Sequence, residues 1–486
     1  MHLPKLVKTL QAFDPTAFLR LKEFVNAPYF KVPKASVVLF NYLYTCYPKF
    51  TVRKVNLEDI AQLGENLSTY AKQSAAASKL LDGIDLFLAC EQWQRNNKAV
   101  QRYTLAGFKD MQWVDEFDKA YENELAELDQ TPEQDIDSFY HRHILTELAA
   151  NGFSAKLVRT HKNNLVPVIQ TLDEFHALKK LRYLCEVFSR QWMGGNYPKQ
   201  DVLPLLDILK PYNRPEHPYV YLFIHVYLML SADTYEESTG PYNVIKQFAE
   251  QHSEGVLPKS VLESMGYAIN YALRWFNKGF ETAADEYLWW TDLKMKKNVL
   301  LEGGKILPIS FRNIISLSAI SNNNPDWMQR FIERYAPHLP EAHRLTNHAF
   351  ALGLYAYKCG RYKEAIRQLM IAHAGEETNF NCVIRRWQFM ALYNFDSSET
   401  ETLLNHLDAF EKYMLRHAKQ VATVKRLFDK FIHYAQLLIR TSPYDIGETL
   451  LLTLQAEEYF PGKQWLAEQM YAKSTNVRRQ TSKVRV

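Results

Sequence analysis

Apolar positions recur along this chain at helical spacing, three and four residues apart, while alternating strand-like runs bounded by turn residues are rare. The pattern predicts an all-α protein. One short hairpin between Leu105 and Val114 is the single exception expected. Asp14-Pro15 opens a helix, with the aspartate as N-cap and proline at the first helical position. That helix carries Phe18, Leu21, Phe24 and Val25 on one face and stops at Asn26-Ala27-Pro28. A second helix is expected from about Pro33 to Tyr47, and a short one near Leu57 to Leu63. A turn at Gly64-Glu65-Asn66 then leads into a long helix from about Tyr70 to Gln92, striped by Ala76, Leu80, Ile84, Phe87 and Leu88. Short helix, glycine turn, long helix is the outline of a helix-turn-helix, here of winged-helix type.

From about Glu133 onward the pattern reads as consecutive helix pairs. Joints are expected at Asn151-Gly152, Gly194-Gly195, Pro211 to Pro218, Thr239-Gly240-Pro241, Gly303-Gly304, Asn322 to Pro325, Pro337 to Pro340 and Ser442-Pro443. One pair stands out. Leu352, Gly353, Gly360, Tyr362, Ala365 and Ala372 fall at spacings that suit two antiparallel helices in close contact. Gly353 and Ala365 lie where the helices cross and a larger side chain would part them. Gly360 lies in the turn, where the lack of a Cβ permits positive φ. Tyr362 and Leu369 fill the space between the helices. The neighbouring units are degenerate: one repeat length of about 34 residues upstream, Ala319 and Phe331 take the places of Gly353 and Ala365, and downstream Trp387 and Glu399 do.

On those residues the stretch Leu352 to Ala372 resembles a tetratricopeptide unit, and the region of about residues 200 to 470 is similar to a tetratricopeptide-type α-solenoid. The resemblance implies a stack in which each pair buries its apolar face against its neighbours. The whole chain also resembles large uncharacterised bacterial helical proteins. They share the stretch Phe24-Val25-Asn26-Ala27-Pro28-Tyr29-Phe30 and a late helix bearing Gln464-Trp465-Leu466. That likeness implies fold alone. The expected organisation is an N-terminal helical domain over 1–130, a solenoid over 131–472 and a basic, disordered tail over 473–486.

Composition refines this outline only slightly. Among 486 residues, 47% are hydrophobic and 13% aromatic, with 17 Gly and 20 Pro, enough to bury a large core with few linkers. The 58 basic and 54 acidic residues give a net charge of +4, too small to argue for nucleic acid on bulk charge. Five scattered cysteines, none in Cys-x2-Cys spacing, argue against a disulfide framework or zinc ribbon and for a reducing compartment. No secretory apolar stretch follows Met1, and Val220 to Leu230 is too short to span a bilayer. The expectation is a cytoplasmic protein without membrane contact.

Candidate chemistry is sparse. His143 and Glu147 share a helix face at i,i+4 spacing, but the pair Asp137 and His141 is turned about 200° away and cannot converge with it. A polar helix face accounts for them better than a metal site. Gly303-Gly304-Lys305 lacks the remaining positions of a phosphate loop and reads as an inter-helix turn. No cofactor is expected. Aromatics crowd at Trp275-Phe276, Phe280, Tyr287 and Trp289-Trp290. Adjacent ones point about 100° apart, so one of each pair is wedged against the next repeat or exposed. Basic residues gather at Lys412, Arg416, Lys419, Lys425, Arg426 and Lys430 and after Ala472, as on a polyanion footprint or a solvated face.

The leading expectation is a non-enzymatic adaptor or scaffold that binds a protein or peptide on the concave face of a solenoid. Helical phase nominates Asn347, Tyr355, Lys358, Arg385 and Gln388 as partner-binding residues. The competing reading is a nucleic-acid-associated regulator with an N-terminal helix-turn-helix. Against it, Tyr70 to Ala77 offers only Lys72 and Gln73 for reaching base edges, among small residues better suited to packing.

Overall fold

Local chemistry starts the helices where the sequence places their caps. In a computed structural model that describes residues 2–50, 55–131, 133–151, 165–191, 203–321, 325–373, 377–442, 446 and 448–484, the chain is all-α. Among the described residues there are 23 α-helices and no strand, only an isolated bridge between Glu302 and Lys305. The chain divides into two compact units: Met1–Gln130 with Tyr140–Leu172, and Thr131–Phe139 with Asp173–Val486.

The first unit begins with α1 (His2–Gln11), α2 (Pro15–Asn26) and α3 (Lys34–Cys46), followed by α4 (Leu57–Gln62) and the long α5 (Tyr70–Arg95). Asp14 caps α2 by accepting hydrogen bonds from the Thr16 and Ala17 amides, so two N–H groups without helical partners are satisfied. Helices α1 and α3 pack on α5. Phe18, Leu21, Phe40, Leu43, Leu80 and Ile84 form their shared core. Leu88, expected in the same stripe, is exposed. Phe24 stacks on Phe30 at 3.9 Å while Tyr29 between them is exposed, so the Phe-x3-Pro-Tyr-Phe stretch is a turn clasped by its two phenylalanines. Helices α6 (Asn97–Asp110), α7 (Val114–Gln130) and, from Tyr140 on, α8 (Ile136–Ala150) follow. The hairpin expected from Leu105 to Val114 does not form. Leu105 is a buried residue of α6, Gln112 turns at φ 62° and α7 starts at Val114.

The second unit takes the C-terminal part of α9 (Val166–Gln191) and continues through α10 (Leu203–Leu209), α11 (Pro218–Ser231), α12 (Tyr235–Gln251), α13 (Lys259–Phe276), α14 (Thr282–Lys296), α15 (Pro308–Ile320) and α16 (Pro325–Tyr335). Helices α17 (Glu341–Lys358), α18 (Tyr362–Ile371), α19 (Thr378–Phe395), α20 (Thr400–Arg416), α21 (Lys425–Arg440), α22 (Glu448–Ala456) and α23 (Lys463–Val484) complete it. From α11 to α21 each helix packs on the next, as α22 does on α23, and α11 with α13 and α15 with α17 also touch. This order is compatible with a helical-repeat solenoid.

The α17–α18 crossing matches its sequence closely. A Cβ on Gly353 would meet Leu369 Cγ at 2.8 Å and the Ala365 carbonyl at 3.4 Å, and Gly360 turns the chain at φ +72°. The joints at Pro211 to Pro218, Gly303-Gly304 and Pro337 to Pro340 lie between helices. Thr239-Gly240-Pro241 does not. It lies inside α12, whose start is set upstream by a capping box of Thr234 and Glu237. Gly152, Gly194-Gly195, residues 322–324 and Pro443 lie outside the described residues. The backbone of α23 runs on through the segment expected to be a tail, and Lys473 Nζ donates to the Leu438 and Thr441 carbonyls at the end of α21.

Candidate functional site

The second unit contains a cavity of about 420 Å³. Alternate helices build it. Leu273, Phe276 and Asn277 come from the end of α13; Asn313, Ser316 and Leu317 from α15; Tyr357 from α17; and Val383, Arg386, Trp387 and Met390 from α19. Spacings of three, four and seven residues keep each set on one face of its helix. The segment from Tyr459 to Trp465, with Glu468 beyond it, closes another side, and Glu281 stands at the start of α14. Gly462 makes the closure fit. It turns at φ +92°, and a Cβ there would meet Phe431 ring carbons at 2.8 and 2.9 Å and Arg386 Cδ at 3.5 Å.

The walls are aromatic. Tyr357 meets Trp387 edge-on at 5.1 Å, Phe276 meets Tyr459 at 5.8 Å, and Trp465 packs edge-on against Tyr393 at 5.4 Å. Two cations line the cavity: Lys463, whose Nζ donates to the Gln455 and Glu457 carbonyls, and Arg386, which pairs with no carboxylate among the described residues. The Arg386 guanidinium sits 5.0 Å from the centre of the Trp387 ring. Among the described residues it makes no hydrogen bond and no ion pair, and its Nε is buried without a partner. Burial pushes its pKa down to about 10, and the tyrosines Tyr459 and Tyr357 compensate only in part. The indole N–H groups of Trp387 and Trp465 are likewise buried without an acceptor. The same burial holds the Tyr459 phenol up at about 12. At the rim, Glu281 and Glu468 are exposed; the Glu281 carboxyl is raised, first by burial and then by Glu468.

The five residues nominated by helical phase lie off this cavity and are engaged within the helix array. Asn347 is fully buried, accepting from Arg312 Nε at 2.7 Å and donating to the His343 carbonyl. Tyr355 donates to Gln329 at 2.7 Å. Lys358 Nζ donates to the Ser318 and Ser321 carbonyls at the end of α15, and Gln388 to the Leu369 carbonyl. The Arg385 guanidinium covers the Tyr413 ring at 4.5 Å, its Nε unbonded. Arg386, one residue further and about 100° around α19, is the arginine the cavity receives.

The remaining candidates serve packing. Trp290 is fully buried and donates to Tyr242 at 3.1 Å, whereas its neighbour Trp289 is half-buried beneath Lys246. That resolves the adjacent pair as one wedged and one partly open. His141 is buried between Arg102 at 3.4 Å and Glu124 at 3.3 Å. Burial, then Arg102, lowers its pKa to about 4, so the neutral ring accepts from the arginine and donates to the carboxylate. His143 is buried beside Thr171, and Glu147 is exposed. Among the described residues no group of three or more His, Cys, Asp or Glu is arranged to hold a metal ion.

For nucleic acid, Gln73 is buried and donates to the Leu57 and Leu67 carbonyls, while Lys72 donates to Glu65 and Ser68, so both hold the turn preceding α5. The basic stretch from Lys412 to Lys430 spans α20 and α21, and four of its six basic residues are met by acids while Arg416 donates to the Lys412 carbonyl. Lys412 pairs with Asp408, Lys425 with Asp429, Arg426 with Glu458 and Lys430 with Glu457. No helix among the described residues is long and apolar enough to cross a membrane. Compared with known proteins, the chain matches no family model, no curated protein and no solved structure.

Proposed function

We propose that the chain is a non-enzymatic binding protein, an adaptor whose tetratricopeptide-like second unit receives a protein or peptide partner at the cavity around Arg386. One observation carries the reading. The cavity is assembled by α13, α15, α17 and α19, each contributing one face, and five aromatic side chains and three amides stand in an otherwise largely aliphatic lining, the chemistry of a recognition pocket. Aromatic walls bury area at low entropic cost, and a guanidinium supplies orientation. Alternate helices of a repeat stack present such a surface because their partners in each pair face outward. The close crossing at Gly353 and the turn at Gly360 support the tetratricopeptide-like assignment of α17 and α18.

Site-specific photo-crosslinking tests the reading. A benzophenone amino acid is placed at Phe276, in the cavity, and separately at Met370, exposed on α18. Crosslinks to one partner from Phe276 and none from Met370 are expected. Capture from Met370 alone would place recognition elsewhere and end the proposal.

A further inference from the structure

We infer that the cavity takes a single carboxylate borne on a flat or branched apolar group, with Arg386 as its receptor. The inference rests on the reading above that the cavity is the binding site. It starts from an imbalance of charge. Other partly or fully buried cations of this unit have polar partners: Arg312 pairs with Glu377, Lys246 with Glu286 and Lys430 with Glu457, while Lys358 and Lys463 donate to backbone carbonyls. Arg386 is half-buried, with its Nε fully enclosed, and has no such partner among the described residues. A part-buried, unpaired cation is costly, and an incoming anion that supplies both charge and hydrogen-bond acceptors relieves that cost. With Nε buried, the terminal nitrogens Nη1 and Nη2 are the donors left to the cavity, a fork that suits the two oxygens of a carboxylate.

The rest of the lining narrows the ligand. Glu281 and Glu468 stand on the same cavity and their repulsion grows with each negative charge on a ligand, so nucleotides and other polyphosphates are disfavoured against a monoanion that Arg386 can neutralise. Phe276, Trp387, Tyr459 and Trp465 offer faces and edges to an aromatic or branched side chain. About 420 Å³ lies within the roughly 300–1,000 Å³ of small-ligand sites and holds one such group rather than a long segment. Two sources carry this chemistry: the C-terminal residue of a peptide, and a free aromatic or branched carboxylic acid.

The test uses the full chain. Fluorescence titrations are run with peptides ending in Phe or Leu, each as the free acid and as the C-terminal amide, and with phenylacetate and indole-3-acetate. They are repeated on Arg386→Gln, on the charge-keeping Arg386→Lys and on the surface control Arg367→Gln, with circular dichroism melts confirming the fold. Free-acid peptides binding wild type at least tenfold tighter than amides, a preference abolished in Arg386→Gln and unchanged in Arg367→Gln, is the expected result and names a peptide C-terminus. Small acids binding in an Arg386-dependent way while peptides stay silent supports the carboxylate site and counts against a protein partner. Acids and amides binding equally, indifferent to Arg386, overturns the inference and leaves the binding reading standing. Absence of binding by every probe overturns it as well. The free-acid against amide comparison on wild type keeps the test decisive even if Arg386→Gln fails to fold.

Discussion

Replacing Gly353 with alanine tests the helix crossing that organises the second unit. In an exposed helix interior the same change stabilises by roughly 1 kcal/mol, because alanine loses less backbone entropy than glycine. Gly266 in α13 is such a position: it is exposed, and nothing lies within 4 Å of an added Cβ. At Gly353 the new Cβ would lie 2.8 Å from Leu369 Cγ and 3.0 Å from its Cδ2. Leu369 is fully buried, and Cγ is the branch point of its side chain, so relief requires α17 and α18 to separate. Overpacking of this kind costs about 1–3 kcal/mol. Subtracting the propensity gain leaves Gly353→Ala destabilising by roughly 0–2 kcal/mol. Gly266→Ala is expected to stabilise by about 0.5–1 kcal/mol. Urea unfolding followed by tryptophan fluorescence compares the two midpoints. Equal stabilisation by both substitutions would refute the close crossing.

Four further outcomes follow from the same geometry. Arg312→Met leaves the fully buried Asn347 side-chain oxygen without its donor, while Glu377 keeps His343, so it should lower stability by about 1–3 kcal/mol in urea melts; an unchanged midpoint contradicts the network. His141 has its pKa lowered to about 4, so its contribution is fully present above the unfolded value of about 6.5 and is lost as pH falls through 4. The loss amounts to roughly 3 kcal/mol at most, softened by the raised Glu124, and His141→Gln should flatten the stability profile over that window. Native thiol labelling should modify the exposed Cys359 first and spare the buried Cys46, Cys185 and Cys382 until unfolding. Gly462→Ala, strained at φ +92° and pressed on Phe431, should reduce stability and open the cavity wall, read as increased acrylamide quenching of tryptophan.

The parts of the fold set by short-range chemistry were legible in the sequence. Asp14-Pro15 had to start a helix, Gly360 had to turn, and Gly353 and Ala365 had to meet, because each follows from one residue's sterics or hydrogen bonding. The hairpin expected at Leu105 to Val114 failed because α6 buries Leu105 and extends to Asp110. Thr239-Gly240-Pro241 failed as a joint because the capping box of Thr234 and Glu237 starts the helix upstream, and the helix carries Pro241 in its second turn at the cost of a backbone hydrogen bond. The cavity was legible only in its ingredients. Arg385 and Arg386 are adjacent, and periodicity alone does not say which faces inward. The answer depends on the segment from Tyr459 to Trp465, more than seventy positions away, returning to pack beside α13 and α19. The doubled basic and aromatic residues at Arg386-Trp387, taken with Trp465, were the available signal.

If recognition occurs in the cavity around Arg386, hydrogen–deuterium exchange of the full chain, with and without the tightest free-acid probe, will show it. Slowed exchange is expected at the ends of α13 and α15, in α19 and from Tyr459 through Glu468, with the outer helix α18 unchanged. Protection confined to α18, or to the first unit, would contradict recognition there.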